Sequence, residues 1–305
     1  MKILVTGGAG FIGSWVSEAY IEDGNEVLII DNLSTGNLNN VPSSAEFIKG
    51  DIRDRSVLKA AFSEFNPDII NHHAAQIDVR KSVDDPTLDA DINIKGTLNL
   101  LELSRKSGIS KFIFASTGGA IYGEPDLIPA DEDTVPMPIS PYGISKFSIE
   151  KYLSYYNKIY GLNYTSLRYS NVYGPRQNPL GEAGVIAIFC NKIITGEPCI
   201  VYGDGEQTRD YVYVEDVKRA NIECILSPND SYNIGTSIET SVNGLIEYLR
   251  KASGRDFEVI YEPARDGEVE RISLNNNKAI KEINWTPNVM LEEGIKNTWI
   301  WFYNK

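Results

Sequence analysis

Short apolar runs alternate with amphipathic segments along the first half of the chain. Runs rich in β-branched residues predict strands at 3–6, 26–30, 46–49, 68–71 and 111–116. The segments between them that have apolar residues at helical spacing are 11–23, 56–65 and 91–107. A helix at 142–160 and a strand at 163–168 continue the series. This alternation predicts a doubly wound α/β fold, with a parallel sheet and helices on both of its faces.

The pattern loosens after Arg168, where Gly- and Pro-rich connections at 174–184 and 203–205 interrupt the helix and strand signals. No flexible linker marks a boundary in this half of the chain. We therefore predict a first domain of residues 1–170 and a smaller α/β lobe of residues 171–305, whose segments can interleave. The C-terminal aromatic residues predict a helix that docks onto this lobe; they are Trp299, Trp301, Phe302 and Tyr303.

Composition narrows the classes of function. The 305 residues are 42% hydrophobic and 23% charged, which is typical of a globular protein. A net charge of −13 disfavours nucleic acids and anionic membranes as partners, because proteins that bind them carry a basic face. No apolar stretch approaches the roughly 18 residues of a membrane span, and the start lacks a signal-peptide pattern. The three cysteines have no CxxC spacing and fit free thiols in the cytoplasm. His72 and His73 have no carboxylate or cysteine at zinc-ligand spacing, so we predict no metal site.

A glycine cluster follows the first predicted strand and opens the first helix. Gly7, Gly10 and Gly13 have the spacing GxxGxxG, which differs from the common GxGxxG fingerprint. Small residues let the backbone approach a pyrophosphate, whose negative charge is favoured by free N–H groups and by the helix dipole. A tight turn without a ligand is the alternative explanation of this cluster alone.

The ends of the next three strands supply further candidates. Asp31 ends the second strand, where a carboxylate accepts hydrogen bonds from both ribose hydroxyls and repels a 2′-phosphate, so it favours NAD over NADP. Asp51, after the third strand, fits a position near the adenine but also fits a helix cap. Ala74 and Ala75, after the fourth strand, leave room for a cofactor. Because ligands gather at the carboxyl ends of parallel strands, these residues predict a Rossmann-type dinucleotide-binding domain.

Tyr142 and Lys146 lie one helical turn apart in the segment YGISK and therefore share a helix face. The lysine charge favours phenolate over phenol, so a group whose ordinary pKa is about 10 can act as a base near neutrality. The YxxxK spacing is common by chance, but here it opens a helix beyond the fifth strand. Ser116 and Thr117 end that strand and can hydrogen-bond the same substrate hydroxyl, although two purely structural hydroxyls are the alternative.

Several segments together resemble the NAD-dependent epimerase/dehydratase family, and the resemblance runs from Met1 through the C-terminal helix. They are TGGAGFIG (6–13), DNLSTG (31–36), GDIRD (50–54), STGGAIYG (116–123), PYGISK (141–146), LRYSNVYGPRQ (167–177) and RDYVYVEDV (209–217). The resemblance implies a 4-epimerase that oxidises C4 of a UDP-sugar with bound NAD and returns the hydride to the opposite face. The implied substrates are UDP-glucose and UDP-galactose. A homodimer is also implied, and residues 91–107 and 145–160 are the candidate surfaces for it.

The same resemblance assigns roles to individual residues. Tyr142 is the implied base, and Lys146 tunes it and holds the nicotinamide ribose. The family's usual hydroxyl position is Gly118 here, so we favour Thr117 over Ser116 as the catalytic hydroxyl. The implied NAD-binding residues are Gly7, Gly10, Phe11, Ile12, Gly13, Asp31, Asn32, Leu33, Ser34, Thr35, Gly36, Asp51, Ile52, His73, Ala74, Ala75, Gln76, Asn93, Tyr142, Lys146 and Ser170. The implied substrate-binding residues are Thr117, Tyr142, Asn171, Val185, Val201, Tyr202, Arg209, Arg265 and Glu268.

The reaction and the sugar leave alternatives open. Relatives that eliminate water or lose carbon dioxide carry acids where this chain has Gly119 and Ala120, so their absence favours epimerisation. Ile272, near a position linked to sugar choice in the family, is smaller than tyrosine and keeps UDP-N-acetylhexosamines open. UDP-glucuronate would require an extra cation. A net NAD-dependent nucleotide-sugar dehydrogenase or dehydratase is the remaining alternative.

Overall fold

The computed structural model describes residues 1–180, 184–265 and 269–305. Its strands are β1 (Lys2–Thr6), β2 (Glu26–Asp31), β3 (Glu46–Lys49), β4 (Ile69–His72), β5 (Lys111–Thr117), β6 (Tyr164–Tyr169), β7 (Asn171–Tyr173), β8 (Cys199–Tyr202), β9 (Thr208–Tyr213), β10 (Asp230–Ile234), β11 (Glu239–Ser241), β12 (Val259–Glu262) and β13 (Arg271–Ile272). Its helices are α1 (Phe11–Glu22), α2 (Arg55–Phe65), α3 (Val79–Asp84), α4 (Pro86–Ala90), α5 (Thr97–Ser107), α6 (Gly118–Ile121), α7 (Pro141–Tyr160), α8 (Val185–Thr195), α9 (Val214–Glu223), α10 (Val242–Ser253), α11 (Asn277–Ile283) and α12 (Leu291–Tyr303).

Seven parallel strands form the main sheet in the order β3-β2-β1-β4-β5-β6-β10. Successive side chains of β1 point to opposite faces, so Ile3 and Val5 lie in one apolar core and Leu4 lies in the other. Helices α1, α9 and α11 cover the first core, and helices α2, α5 and α7 cover the second. The predicted doubly wound fold is therefore confirmed.

The predicted strands of the first half match the observed ones to within one residue at each end. The predicted helix at 91–107 is partly wrong, because its first part, Asp91–Gly96, is a π-helical turn that runs into α5. Within this turn the side chain of Asn93 hydrogen-bonds both the N–H and the carbonyl of Gln76. Such turns have one residue more than an α-helical turn and occur often at functional sites.

The chain after residue 171 forms a smaller sheet and a strand pair of its own, and it also contributes a strand and helices to the main sheet. β9 pairs with β7, β11 and β13 in a smaller sheet, and β8 pairs with β12. A third apolar core lies between these strands and helices α8, α10 and α12, where Trp299 and Phe302 are buried as predicted for the C-terminal helix. In contrast, α9 packs on α1, and β10 is the edge strand of the main sheet.

In the parts of the chain that the structure describes, no helix combines the length and apolar character needed to cross a bilayer.

Candidate active site

The turn between β1 and α1 is built from backbone packed directly against backbone. Gly7 has φ +72°, and its N–H donates to the carbonyl of Ile30 at 2.9 Å. A Cβ atom on Gly7 would lie 2.6 Å from the amide nitrogen of Ala74, and one on Gly13 would lie 2.2 Å from the Gly7 carbonyl oxygen. Gly10 precedes α1 and has no side chain to cap it. The first N–H groups of this helix are therefore presented to an anion without competition from a capping side chain.

Asp31 is buried at the end of β2, beside this turn. One carboxylate oxygen accepts the Ala9 N–H at 3.0 Å, and the other accepts the Leu33 N–H at 2.8 Å. These bonds fix the carboxylate at the carboxyl end of the sheet, which is where a ribose is expected in this fold. Gly36 closes over it, since a Cβ atom there would lie 2.9 Å from the carboxylate. The other predicted residues of this loop, Asn32, Ser34 and Thr35, are exposed at its rim.

Asp51 is held by Arg53 rather than by the helix that follows. The Arg53 guanidinium donates to both Asp51 oxygens, at 3.0 and 2.8 Å, and these bonds lower the pKa of Asp51 to about 2. The helix-cap explanation of Asp51 is wrong, because Asp54 caps α2 by accepting the N–H groups of Ser56 and Val57. Ile52 lies in an apolar core of the main sheet.

Two buried polar atoms beyond β4 and β6 have no partner among the described residues. They are Nδ1 of His73 and Oγ of Ser170. The other ring nitrogen of His73 lies 3.2 Å from the Tyr169 hydroxyl. Burial, with a smaller effect of Lys146, lowers the pKa of His73 to about 3, so its ring is neutral. Of the seven buried side-chain atoms without a partner among the described residues, these two belong to predicted cofactor residues. Together with the glycine turn, they fit a bound dinucleotide. Phe11 and Ile12, at the start of α1, are half-buried.

The catalytic candidates meet where β5 ends against the start of α7. Ser140 accepts the Gly143 N–H and starts α7, which places Tyr142 and Lys146 on successive turns. Thr117 lies beside Tyr142 and acts to lower the pKa of its phenol, and Nζ of Lys146 donates to the Ala115 carbonyl at 2.8 Å. Nζ lies 5.8 Å from the centre of the Tyr142 ring. The structure therefore brings together three of the four predicted catalytic residues.

The net pKa shift of Tyr142 is opposite to the predicted direction. The pKa of Tyr142 is raised, first by burial and then by the negative charge of Asp89, while the Thr117 hydrogen bond acts in the opposite direction. The pKa of Lys146 is lowered to about 8 because the amine is buried. The expectation failed because spacing alone reveals neither how deeply both groups are buried nor that a carboxylate faces them.

Ser116, the fourth catalytic candidate, faces the core. Its hydroxyl donates to Glu150 at 2.6 Å, and Glu150 forms a buried ion pair with Arg168 at 2.7 Å. Of the two hydroxyls, Thr117 is therefore the one that acts on the pKa of Tyr142. Glu150 could have been found from the sequence, because it lies one turn beyond Lys146 on the same face of α7.

We expect the variant Thr117→Val to lower kcat by roughly 10- to 100-fold, because it removes the hydrogen bond to the Tyr142 oxygen but keeps the side-chain volume. Ser116→Ala is the matched control. It should leave kcat within a few-fold and lower the free energy of unfolding by about 1–3 kcal/mol, since Glu150 loses a buried donor. Steady-state kinetics and denaturant unfolding of both variants measure this. A larger loss of kcat in Ser116→Ala would reverse the assignment.

The substrate candidates converge on the same end of the sheet. A Cβ atom on Gly119 would lie 3.7 Å from the Asn171 side-chain oxygen and 4.0 Å from the Thr117 hydroxyl oxygen, so these two side chains flank the same space. The Arg265 guanidinium stacks on the Tyr202 ring, 3.3 Å from its centre. Arg209 donates to the carbonyls of Thr208 and Glu270.

Three further candidates are less directly placed. Val185 begins α8 and is half-buried, whereas Val201 is buried in the third apolar core. Glu268 lies outside the described residues. Within the described ranges there is no group of three or more His, Cys, Asp or Glu side chains that could hold a metal ion.

The chain is similar over its whole length to known proteins. The family model for the NAD dependent epimerase/dehydratase family matches residues 3–235. UDP-glucose 4-epimerase of Mycolicibacterium smegmatis is 41% identical and covers 100% of this chain and 99% of its own. The crystal structure of the Thermotoga maritima UDP-glucose 4-epimerase with UDP-glucose is 49% identical, with a TM-score of 0.98 over 100% of this chain and 99% of that one. The Thermus thermophilus enzyme in complex with NAD is 46% identical, with a TM-score of 0.95 and 99% coverage of both chains.

The chain therefore belongs to the NAD dependent epimerase/dehydratase family, as its sequence motifs predicted. Its fold is the Rossmann-type fold of these epimerase structures.

Proposed function

We propose that this protein is an NAD-dependent nucleotide-sugar 4-epimerase that interconverts UDP-glucose and UDP-galactose. The observation that carries the proposal is the position of Tyr142 beside Lys146 and Thr117, at the same sheet edge as the glycine turn and Asp31. The relatives described above agree with the predicted enzyme, its cofactor and its UDP-sugar substrate.

NAD, when bound, supplies the oxidation of C4 and its later reduction. The glycine turn and Asp31 hold the dinucleotide, and Ser170 and His73 present the buried polar atoms without partners. Tyr142 takes the proton from the 4-hydroxyl of the sugar. It returns the proton to the same oxygen after the 4-keto sugar has turned its opposite face toward the cofactor site. Thr117 donates a hydrogen bond that favours the phenolate during this exchange. Lys146 keeps a positive charge near the phenol.

Gly119 lies beside Thr117 and Asn171, and neither Gly119 nor Ala120 carries a carboxylate. Elimination of water from a 4-keto sugar requires a base at the neighbouring carbon, so its absence here favours return of the hydride. For the nucleotide, we assign Arg265 and Arg209 to the diphosphate, because a guanidinium offers forked, permanently charged donors. Stacking on Tyr202 holds the Arg265 plane in one orientation. We also assign Asn171 to the diphosphate.

We assign residues 1–170 to the cofactor domain and 171–305 to the substrate lobe, with α9 and β10 returning to the main sheet. A cytoplasmic location is supported by the three free, buried cysteines. A homodimer is supported by an aromatic and aliphatic face on α7, where the side chains of Ile144, Tyr152, Tyr155, Ile159 and Tyr160 are exposed. Light scattering that finds only a monomer at micromolar concentration would reject the dimer.

The decisive experiment is to incubate the purified protein with UDP-galactose without added reductant. UDP-glucose is quantified by chromatography while the absorbance of NADH is recorded. We expect an equilibrium mixture of the two sugars without accumulation of NADH. Stoichiometric NADH would instead support a net dehydrogenase. No conversion by folded, NAD-loaded protein would reject UDP-galactose as substrate, and the same assay with UDP-N-acetylhexosamines and UDP-glucuronate then tests the other sugars.

A further inference from the structure

Asp89 is a fully buried carboxylate near the end of α4 that the mechanism above does not use. One of its oxygens accepts the Ser145 hydroxyl at 2.6 Å. The other accepts the side-chain amides of Asn93 at 2.9 Å and Gln76 at 3.3 Å. A buried charge is costly unless hydrogen bonds compensate it, and these three donors do so.

The three donors come from three different parts of the site. Ser145 lies on α7 between Tyr142 and Lys146. Gln76 lies in the loop after β4, and Asn93 lies in the π-helical turn before α5. Asn93 also bonds the Gln76 backbone, at 2.8 and 2.9 Å. Asp89 is thus the point at which the catalytic helix, the π-helical turn and the loop after β4 are joined.

We propose that Asp89 is a positioning residue that keeps Lys146 positively charged and holds α7 against the loop of Gln76. This inference rests on the proposed function for its catalytic meaning, although the charge state of Lys146 can be measured without a substrate. Nothing in the YxxxK motif identifies Asp89, which lies 53 residues before Tyr142 in the sequence.

The charge of Asp89 sets the direction in which it shifts the pKa of Lys146. Burial lowers the pKa of Lys146 to about 8, and the negative charge of Asp89 opposes this lowering. The same charge raises the pKa of Tyr142. Without Asp89, only burial would act on the pKa of the Lys146 amine. A larger fraction of Lys146 would then be neutral near pH 7. A neutral amine cannot favour a phenolate beside it.

The other titratable groups around the pair do not substitute for Asp89. From β4, His72 and His73 are buried and have lowered pKa values, so they carry no charge near neutrality. Further along α7, Glu150 is paired with Arg168 of β6. The charged residues of α3, which packs on α7, are exposed to solvent; they are Arg80, Lys81 and Asp84. Among the described residues, Asp89 is the only group whose charge acts to keep Lys146 protonated.

The test is the variant Asp89→Asn, which keeps the shape and one acceptor oxygen but removes the charge. Lys146 is titrated by NMR in protein labelled with ¹³C-lysine, and its signal is assigned by its loss in Lys146→Met. We expect the midpoint to fall by roughly one pH unit. In the epimerase assay, the alkaline limb of the kcat profile should move to lower pH by the same amount, because Lys146 loses its proton earlier.

Ser145→Ala is the matched control, because it removes a hydrogen bond of Asp89 and keeps the charge. In this variant, the midpoint of the Lys146 titration should stay within a few tenths of a pH unit of the parent value. If Asn is not accommodated at position 89, Asp89→Ser removes the charge with a smaller side chain. An unchanged Lys146 midpoint in a folded neutral variant would overturn the proposal. Failure of the parent protein to convert any UDP-sugar would overturn the proposed function instead, while the NMR titration would still decide the role of Asp89.

Discussion

Replacing Tyr142 with phenylalanine is expected to lower turnover by roughly 10²- to 10⁴-fold and to leave NAD bound. In the proposed function, the phenol oxygen is the group that exchanges a proton with the sugar hydroxyl, and Thr117 acts to lower its pKa. Phenylalanine keeps the half-buried ring and removes only that oxygen. Turnover is measured by conversion of UDP-galactose, and bound NAD is measured after the protein is denatured.

The matched control is Tyr152→Phe. Tyr152 lies on the same helix, but its side chain is exposed, so loss of its hydroxyl should change neither turnover nor NAD content. If Tyr142→Phe turned over normally, Tyr142 could not be the base. If it lost NAD as well as activity, the role of Tyr142 would be cofactor binding, and its catalytic assignment would have to be reconsidered.

Gly13→Ala is expected to weaken NAD binding by roughly 10- to 100-fold, which corresponds to about 1–3 kcal/mol of steric strain. The added Cβ atom would lie 2.2 Å from the Gly7 carbonyl oxygen, and a backbone oxygen in a tight turn cannot swing aside as a flexible side chain can. The turn would have to move away from the start of α1, where the pyrophosphate is expected. Calorimetric titration of NAD into cofactor-free protein measures the change.

Gly244→Ala is a closely matched control. Gly13 and Gly244 are each the third residue of a 12-residue helix. The nearest atom to a Cβ on Gly244 is the Thr240 methyl carbon, at 3.3 Å, and the neighbouring backbone is not in the way. We expect Gly244→Ala to bind NAD as the parent does. Equal NAD affinity in the two variants would show that the close approach of Gly13 to Gly7 does not determine cofactor binding.

The parts of the site that local sequence signals predicted are those formed within one short segment. The glycine turn, Asp31 at the end of β2, and the Tyr142–Lys146 pair on one helix face all depend on neighbours within a few residues. Their geometry follows from strand and helix periodicity, which is a property of the local chain. This is why the predicted strands differ from the observed ones by no more than one residue at each end.

The features that sequence analysis missed or misjudged involve segments far apart in the chain. Asp89 meets Ser145, 56 residues later, and Ser116 meets Glu150, 34 residues later. The predicted direction of the pKa shift of Tyr142 was wrong for the same reason, since the pKa of this phenol depends on its burial and on the charge of Asp89. The π-helical turn before α5 was not predicted, because the spacing of apolar residues does not distinguish a turn with one extra residue from an α-helical turn.

The sequence by itself determined the doubly wound sheet, the glycine turn after β1 and the Tyr142–Lys146 pair on one helix face. Only the tertiary structure decided which of two adjacent hydroxyls acts on Tyr142, that the other donates to Glu150, and that a buried carboxylate joins α7 to the loop after β4. The physical reason is that hydrogen-bond periodicity is local, whereas burial and charge are summed over every segment that packs around a group.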